Sequence, residues 1–216
     1  MRKKWEKYKE YLLKGDWHVH TSYTDGKNTV FEYCEQAEKN GLGLIAFTEH
    51  VRKELDYDFG DFVSDVHSAK DKFDLEILVG CEAKVLDERS LDVSSDVLKD
   101  CELVLGAFHR FAQEENTYLE ALKRMLRKPE VDVWAHPTLF AVKNGFSLKN
   151  DEIKNLLEIV KKHKVLIEIN LKYKLPNENF ILKALKKDCK FVIGSDAHCI
   201  DELLEKDEIK GVEDRL

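Results

Sequence analysis

The chain has 216 residues, of which 36% are charged, and a formal net charge of -7 at pH 7. This acidity argues against the broad basic surface that duplex nucleic acid requires, while a local basic pocket for one phosphate stays compatible with it. No apolar run reaches the roughly 20 residues of a membrane-spanning helix, and no signal-like apolar run follows the charged start, so we expect neither a membrane protein nor a secreted one.

Seven apolar runs alternate with amphipathic segments along the chain. In chain order, the apolar runs cover 15–20, 42–50, 75–85, 102–109, 131–137, 165–170 and 190–198, and they are predicted to be buried strands. The segments with helical spacing are 28–41, 60–73, 117–128, 148–164 and 177–188. This β–α alternation predicts an α/β protein with a mostly parallel sheet covered by helices.

Seven such units favour a closed or nearly closed barrel of the TIM type, with an open doubly wound sheet as the alternative. No Pro-, Ser- or Gly-rich linker interrupts the chain, so we expect a single domain over residues 1–216. The segment 201–216 is predicted to be a short charged helix and tail without a chemical role. A domain of this size does not need a metal to hold its core together, so any metal would serve chemistry.

The cysteines indicate the redox environment of the protein. Five are present, an odd number without CxxC spacing, which favours reduced thiols and a cytoplasmic location. They are Cys34, Cys81, Cys101, Cys189 and Cys199.

Polar residues follow the predicted strands in a way that favours the barrel. They lie at or just past the C-terminal ends of the strands, where barrel enzymes gather their active sites. The set comprises His18, His20, Glu49, His50, Glu82, His109, His136, Asn170, Asp196 and His198. The two remaining histidines, His67 and His163, lie in helical segments and are predicted to be surface residues without a role.

Two pairs in this set have the spacing of metal ligands. On a strand, His18 and His20 point the same way, and Asp196 and His198 repeat the spacing in "GSDAH". The first and last strands of a closed barrel are neighbours, so the two pairs would converge. Imidazole ligands suit Zn, Fe, Mn or Ni. Taken separately, the first pair is equally compatible with hydrogen-bonded core histidines, and Asp196 with a helix N-cap.

The remaining candidates also have two interpretations each. Glu82 directly follows an apolar strand, and it is either a metal ligand or a surface carboxylate. Asp25 in "TDG" is either a turn-former or a carboxylate over the barrel mouth. His50, His109 and His136 are each compatible with a structural hydrogen bond when considered alone.

Six short motifs together resemble the PHP family, the polymerase and histidinol phosphatase domain. They are "HVHTSYTDG", "TEH", "GCE", "FHR", "AHP" and "GSDAH", in this order between residues 18 and 198. The resemblance implies a distorted (β/α)7 barrel. It also implies two or three divalent ions at the C-terminal mouth, Zn, Mn or Fe, with Mg as a further candidate.

The resemblance further assigns the candidates to individual ions. His18 and His20 would hold one ion with Glu82 and Asp196. Glu82 would bridge to a second ion held by His109 and His136, and Asp25, His50 and His198 would hold a third. Many relatives have a histidine where this chain has Asp25, so we expect the third site to be partly occupied or to favour a harder ion such as Mn or Mg. Glu82, Asp196 and His198 would be the catalytic residues.

The implied reaction is hydrolysis of a small phosphomonoester, as in histidinol phosphatases, by a hydroxide that bridges the metals. Arg52 and Arg110 follow strand-end histidines and are predicted to bind the phosphate, with Lys84 and Lys172 as weaker candidates. Asp16, Glu49 and Asn170 are predicted to orient the imidazoles.

Three other functions remain open from the sequence. The first is a nucleotide phosphatase or an exonuclease acting on nucleic-acid ends, which the absence of a basic stripe disfavours. The second is a non-catalytic, metal-stabilised scaffold that binds a partner protein, which would be expected to have lost some ligands. The third is amide or lactone hydrolysis, which usually involves a lysine in the bridging position that Glu82 takes here.

Overall fold

The computed structural model describes residues 3–86 and 90–216 and contains a seven-stranded parallel sheet in chain order. The strands are β1 (Gly15–Val19), β2 (Leu44–Val51), β3 (Glu76–Lys84), β4 (Leu103–Ala107), β5 (Val133–Trp134), β6 (Leu166–Asn170) and β7 (Phe191–Gly194). Past the end of β7, Ala197 forms a parallel bridge with Val19, and its carbonyl accepts a hydrogen bond from the His20 amide at 2.9 Å. The sheet is thereby nearly closed, which confirms the predicted distorted TIM-like barrel over the open sheet.

Helices cover the outside of the barrel. They are α1 (Val30–Asn40), α2 (Phe59–Lys72), α3 (Ser95–Asp100), α4 (Glu115–Met125), α5 (Leu139–Lys143), α6 (Asn150–His163), α7 (Glu178–Leu185) and α8 (Lys206–Glu213). Among the described residues, 3-10 helices also cover Lys4–Tyr11 and Ile200–Glu202. All five helices predicted from spacing are present. The sequence did not predict α3 and α5, because five or six residues are too few to show a helical period.

The apolar side chains form two separate layers. The outer layer lies between the strands and the helices, and α8 contributes Ile209 and Val212 to it. The inner layer fills the lower part of the barrel and includes Trp17, Leu44 and Leu105. The inner layer leaves the upper, C-terminal part of the barrel to polar side chains.

The N-terminal segment closes the bottom of the barrel. Trp5 belongs to the inner layer, and its indole donates a hydrogen bond to the Lys164 carbonyl at 3.0 Å. The indole of Trp17, at the start of β1, donates to the Tyr11 carbonyl at 3.1 Å. The N-terminal segment therefore covers the inner layer from below, and the polar interior of the barrel opens at the opposite end, where the strands finish.

A bulge in β1 sets the direction of the two histidines of "HVH". Asp16 pairs with Ile45 and Val19 pairs with Phe47, so β1 contains one residue more than β2 between these two pairs. The extra residue lets Trp17 pack in the inner layer while the next residue, His18, also reaches the interior. Val19 packs in the outer layer, as the alternation predicted.

Two sequence expectations concern the environment of the protein. Within residues 3–86 and 90–216, no helix combines the length and apolar character needed to cross a bilayer. All five cysteines are free thiols. The cytoplasmic location stays a prediction.

Candidate active site

Glu82, near the end of β3, lies at the centre of a cluster of imidazoles. Its side chain is almost fully buried, and its Oε1 lies 2.8 Å from His136 Nε2 and 3.2 Å from His109 Nε2. Its Oε2 lies 3.0 Å from Nδ1 of His50, the residue that pairs with Glu82 across β2 and β3. Glu82 is therefore a buried ligand candidate, and the interpretation as a surface carboxylate is wrong.

The β1 and β7 pairs converge on the same point. The Nε2 atoms of His18 and His20 are 3.0 Å apart and lie 3.8 Å from the Glu82 carboxylate. His20 Nε2 is also 3.8 Å from Asp196 Oδ1. The bridge between Val19 and Ala197 places these residues side by side, as expected for the first and last strands of a closed barrel.

The outer part of the cluster is held by the "TDG" turn. Asp25 Oδ2 lies 3.4 Å from His50 Nε2, and Asp25 Oδ1 lies 3.5 Å from His198 Nε2. A Cβ on Gly26 would lie 2.1 Å from the His20 carbonyl oxygen, so the turn can pack this closely only with glycine. Asp25 thus forms the turn and also faces two histidines over the mouth.

All nine predicted metal-ligand candidates lie in this one cluster. Three groups of them have ligand atoms within 4.8 Å of one another: His20, Asp25, His50 and His198; His18, His20 and Glu82; His50, Glu82 and His109. His20 and His50 each belong to two of these groups, whereas the family resemblance assigned each of them to a single ion. Which residues hold which ion stays a prediction.

The charges of the cluster favour bound cations. Burial opposes a charge on Glu82, but His109 and His18 hold the pKa of its carboxyl well below the usual range. Burial likewise opposes a charge on His50, yet hydrogen bonds with Asp25 and Glu82 raise its pKa to about 10. The carboxylates therefore stabilise positive charge in this part of the barrel.

His20 has the properties of a metal ligand. Burial, together with the neighbouring His18 and His50, holds the pKa of His20 well below its ordinary value, so its ring is neutral and keeps a lone pair. Its buried Nδ1 has no hydrogen-bond partner within the described part of the chain. The residues present therefore fit divalent ions, with nitrogen and oxygen donors as Zn, Fe and Mn require.

Glu168 supports the cluster from below, and the sequence interpretation missed it. Its Oε1 lies 2.7 Å from His18 Nδ1, and its Oε2 accepts a hydrogen bond from the His136 amide. A Cβ on Gly194 would lie 2.1 Å from Glu168 Oε1, so glycine at the end of β7 makes room for this carboxylate. The available signal was a glutamate in the middle of the apolar strand "VLIEIN".

The three predicted supporting residues act on the backbone of the site. Asp16 Oδ1 accepts hydrogen bonds from the amides of Ser195 at 2.9 Å and His18 at 3.2 Å, and burial raises its pKa to about 6. Asn170 Oδ1 accepts from the Tyr173 amide at 3.0 Å. These two residues therefore hold loops in place, and no hydrogen bond from either to an imidazole ring is present among the described residues.

Glu49 has the same kind of role at the "TDG" turn. Its carboxylate accepts hydrogen bonds from the Thr21 amide at 2.8 Å and from the Thr24 hydroxyl. Burial raises its pKa to about 7. Glu49 thus anchors the turn that carries Asp25.

A cavity of about 560 Å³ lies above the cluster. Its rim carries five cationic side chains: Arg52, Lys84, Arg110, Lys143 and Lys172. Phe108, Phe140 and Tyr173 form its aromatic wall. Both arginines predicted to bind substrate therefore line the mouth. The two histidines predicted to have no role lie on helices, His67 in α2 and His163 at the end of α6.

Residues 16–172 match the family model of the PHP domain. The chain belongs to the PHP family. The match ends before Asp196 and His198, so the position of these two residues in the PHP site rests on the geometry of the barrel. The predictions of the PHP family, and of a metal-dependent phosphoesterase within it, are confirmed at the level of the family.

Individual PHP relatives are similar over most of the chain. The "DNA polymerase/3'-5' exonuclease PolX" of Bacillus subtilis (strain 168) is 29% identical over 204 residues, which cover 88% of this chain but only 35% of that protein. A probable phosphatase of Thermoanaerobacter sp. (strain X514) is 29% identical over 198 residues, covering 85% of this chain and 78% of that one.

A solved structure has a similar fold. It is histidinol phosphate phosphatase from Lactococcus lactis subsp. lactis Il1403, complexed with zinc, L-histidinol and phosphate. The TM-score is 0.71 at 16% identity, and the match covers 94% of this chain and 92% of that one. At this identity, the similarity shows a shared barrel.

Proposed function

We propose that this PHP protein hydrolyses a small phosphomonoester at the mouth of its barrel. The observation that carries the proposal is the convergence of six histidines and two further carboxylates, Asp25 and Asp196, around buried Glu82. His20 Nδ1 lacks a hydrogen-bond partner among the described residues, and buried carboxylates packed among imidazoles cost stability unless positive charge, such as that of bound cations, compensates them. The position of the cluster at the C-terminal ends of the strands is the usual position of a barrel active site.

The cluster would hold two ions, with a third at the outer group. His18, His20, Glu82 and Asp196 would hold the first, Glu82, His109 and His136 the second, and Asp25, His50 and His198 the third. Ions in such a site lower the pKa of bound water and offset the charge on phosphate oxygens. The neighbour that contains zinc supports Zn, and Mn, Fe and Mg remain to be compared.

The chain's own residues would position the reacting groups. Glu82 sets the spacing of the inner ligands because both of its oxygens face imidazoles. Lys172 Nζ lies 3.6 Å from Asp196 Oδ1 and 3.1 Å from His198 Nδ1, so an ammonium group adjoins both predicted catalytic residues of the last strand. Arg52 and Arg110 would bind substrate at the rim.

Phosphate release tests the proposal. The protein is loaded with Mn or Zn in metal-defined buffer and incubated with histidinol phosphate, nucleoside 3′- and 5′-monophosphates, sugar phosphates and a short oligonucleotide. We expect strong turnover of one small ester. Asp196→Ala or His20→Ala is expected to abolish turnover and to keep the fold, because the apolar layers do not contain these side chains. A variant that keeps wild-type turnover would contradict the site assignment.

Hydrolysis at nucleic-acid ends is the second candidate function. It is favoured by the similarity to a relative named as a 3'-5' exonuclease, of which this chain spans about a third. Activity on the oligonucleotide alone would support it. If no compound of the panel releases phosphate, the result would instead favour a non-catalytic scaffold or the hydrolysis of an amide or lactone.

A further inference from the structure

The cavity above the cluster contains more positive charge than a single phosphate needs. The acidic residues that line it among the described residues are Asp25, Glu82 and Asp196, and all three contact histidines of the cluster. Three carboxylates do not neutralise two divalent ions completely, so the ions would leave positive charge for the scissile phosphate. Lys172, beside Asp196, adds one more charge at the same place.

Arg52 and Arg110 lie apart from that centre. In the part of the chain that the structure describes, neither guanidinium group forms an ion pair, and neither contacts a carboxylate of the cluster. They follow β2 and β4, the two strands that flank β3. Lys84, at the end of β3, is already paired with Asp92 at 3.2 Å. Among the described residues, the two arginines are therefore the cationic side chains on this side of the rim that have no carboxylate partner, so a ligand can pair with them.

The size of the cavity and its aromatic wall indicate what kind of group fits between the metal cluster and the two arginines. A volume of about 560 Å³ is in the range of sites for small organic ligands. Tyr173 presents a ring to the cavity, with the Lys143 ammonium 5.1 Å from the ring centroid. A compact organic group, planar or aliphatic, fits beside this ring while both of its ends are anionic.

We propose that the preferred substrate carries a second anionic group, a phosphate or a carboxylate, which Arg52 and Arg110 bind while the metal cluster binds the scissile phosphate. This inference rests on the proposed phosphoesterase function and assigns the two arginines to the non-reacting end of the substrate. Planar guanidinium groups suit both carboxylate and phosphate, because they donate two parallel hydrogen bonds to either. The net charge of -7 makes such a positive surface on one side of the mouth a specific feature.

A matched pair of synthetic esters isolates the second charge. Carboxyphenyl phosphate and carbamoylphenyl phosphate, each as meta and para isomers, have nearly the same shape and differ by one negative charge. With the metal-loaded protein, we expect kcat/KM for one carboxylate isomer to exceed that of its amide at least about tenfold, as for a charge-assisted hydrogen bond. The preference is expected to weaken as salt is added, because the arginines are exposed.

Substitutions assign the preference to the arginines. Arg52→Gln and Arg110→Gln are each expected to lower the ratio between the two esters, and the double variant to abolish it. Arg127→Gln is the matched control, because exposed Arg127 follows α4 at the opposite end of the barrel. This control is expected to keep the wild-type ratio.

Three outcomes would overturn the inference. Equal kcat/KM for acid and amide in both isomers would exclude a second anionic subsite. Arginine variants that slow both esters by the same factor would show that these residues bind the scissile phosphate. If neither ester is hydrolysed, calorimetric titration of the same pair into the metal-loaded protein decides the inference, with equal dissociation constants contradicting it. The phosphate-release panel decides the proposed function separately.

Discussion

Glu82 and Glu168 both lie on barrel strands, but Glu82 faces the ligand imidazoles directly, whereas Glu168 orients them from behind. Glu82 faces the imidazoles from the end of β3, with an oxygen on each side of the ligand set. Glu168 lies deeper, on β6. It orients the His18 ring by a contact with His18 Nδ1, and it holds His136 by accepting a hydrogen bond from the His136 backbone amide. A ligand imidazole whose other nitrogen is held by a carboxylate is fixed in both tautomer and orientation.

The first prediction concerns Glu168. Glu168 faces two hydrogen-bond donors, His18 Nδ1 and the His136 amide, with two acceptor oxygens. The amide of Glu168→Gln has only one acceptor oxygen and an NH₂ donor in place of the other. We expect Zn or Mn affinity to fall about 10- to 100-fold with the fold retained. Titration calorimetry and circular dichroism check the two parts.

Glu158→Gln is the control for this substitution, because Glu158 is an exposed residue of α6 paired with Lys187 at 3.1 Å. It is expected to bind metal as the wild type does. An unchanged affinity in Glu168→Gln would show that Glu168 only fills space.

The identity and position of single residues made the metal-ligand candidates predictable from the sequence. The residue that orients these candidates, Glu168, was much harder to predict. A histidine or carboxylate at the end of an apolar strand is conspicuous in the sequence, and this position predicts Glu82 and the two ligand pairs. Glu168 sits inside such a strand, where only its contact with His18, 150 residues away in the chain, reveals its role. Contacts of this range are properties of the folded barrel.

At the scale of elements, spacing predicted every strand but not the irregularities that aim the side chains. The extra residue in β1 is invisible in "GDWHVH", because an alternating strand and a bulged strand have the same composition. β5 is shorter than its apolar run, since only Val133 and Trp134 form the ladder. The charged start of the chain also gave no sign that Trp5 closes the barrel.

The second prediction concerns this closure. Trp5 is 7% exposed and fills the bottom of the inner layer. Trp5→Ala leaves a cavity and removes the hydrogen bond to the Lys164 carbonyl, so we expect the free energy of unfolding to fall by about 3 kcal/mol. Urea denaturation followed by circular dichroism measures the change.

Lys7→Ala, on the same 3-10 helix, is the control and is expected to have little effect, because Lys7 is exposed. A Trp5→Ala variant as stable as the wild type would mean that the N-terminal segment does not close the barrel in solution.

At the scale of the molecule, the barrel combines a complete apolar core with a cluster that favours cations. Divalent ions that bind only the folded state stabilise it by mass action, by about 2.7 kcal/mol at a hundred times the dissociation constant. For a chain of this length we expect the melting temperature to rise by about 5–10 °C on adding Mn or Zn to chelator-treated protein.

Asp196→Ala is expected to lose most of this rise, whereas Asp201→Ala, an exposed residue a few positions later, keeps it. Differential scanning calorimetry with and without metal makes the comparison. Equal melting temperatures for the wild type in chelator and in metal would contradict ion binding by the cluster.

The pH dependence of stability is set in part by a carboxylate far from the mouth. Asp132 precedes β5 at the bottom of the barrel, is 3% exposed, and accepts a hydrogen bond from the Val104 amide at 3.2 Å. Burial raises its pKa from 3.8 to about 6, although Lys3, 4.0 Å away, partly offsets the effect. Because the folded-state pKa lies above the unfolded one, the folded state loses stability as the pH rises from about 4 through about 6, and the loss levels off above that pH.

Asp132→Asn keeps an acceptor for the Val104 amide and removes the charge. Relative to the wild type, we expect its free energy of unfolding to increase by about 2 kcal/mol between pH 4.5 and pH 7.5, since a pKa difference of one corresponds to about 1.4 kcal/mol. Urea titrations at several pH values in chelator give the difference free of metal binding. A constant difference across this range would show that Asp132 has the same pKa in the folded and unfolded chain, so the hydrogen bond and Lys3 would fully compensate for its burial.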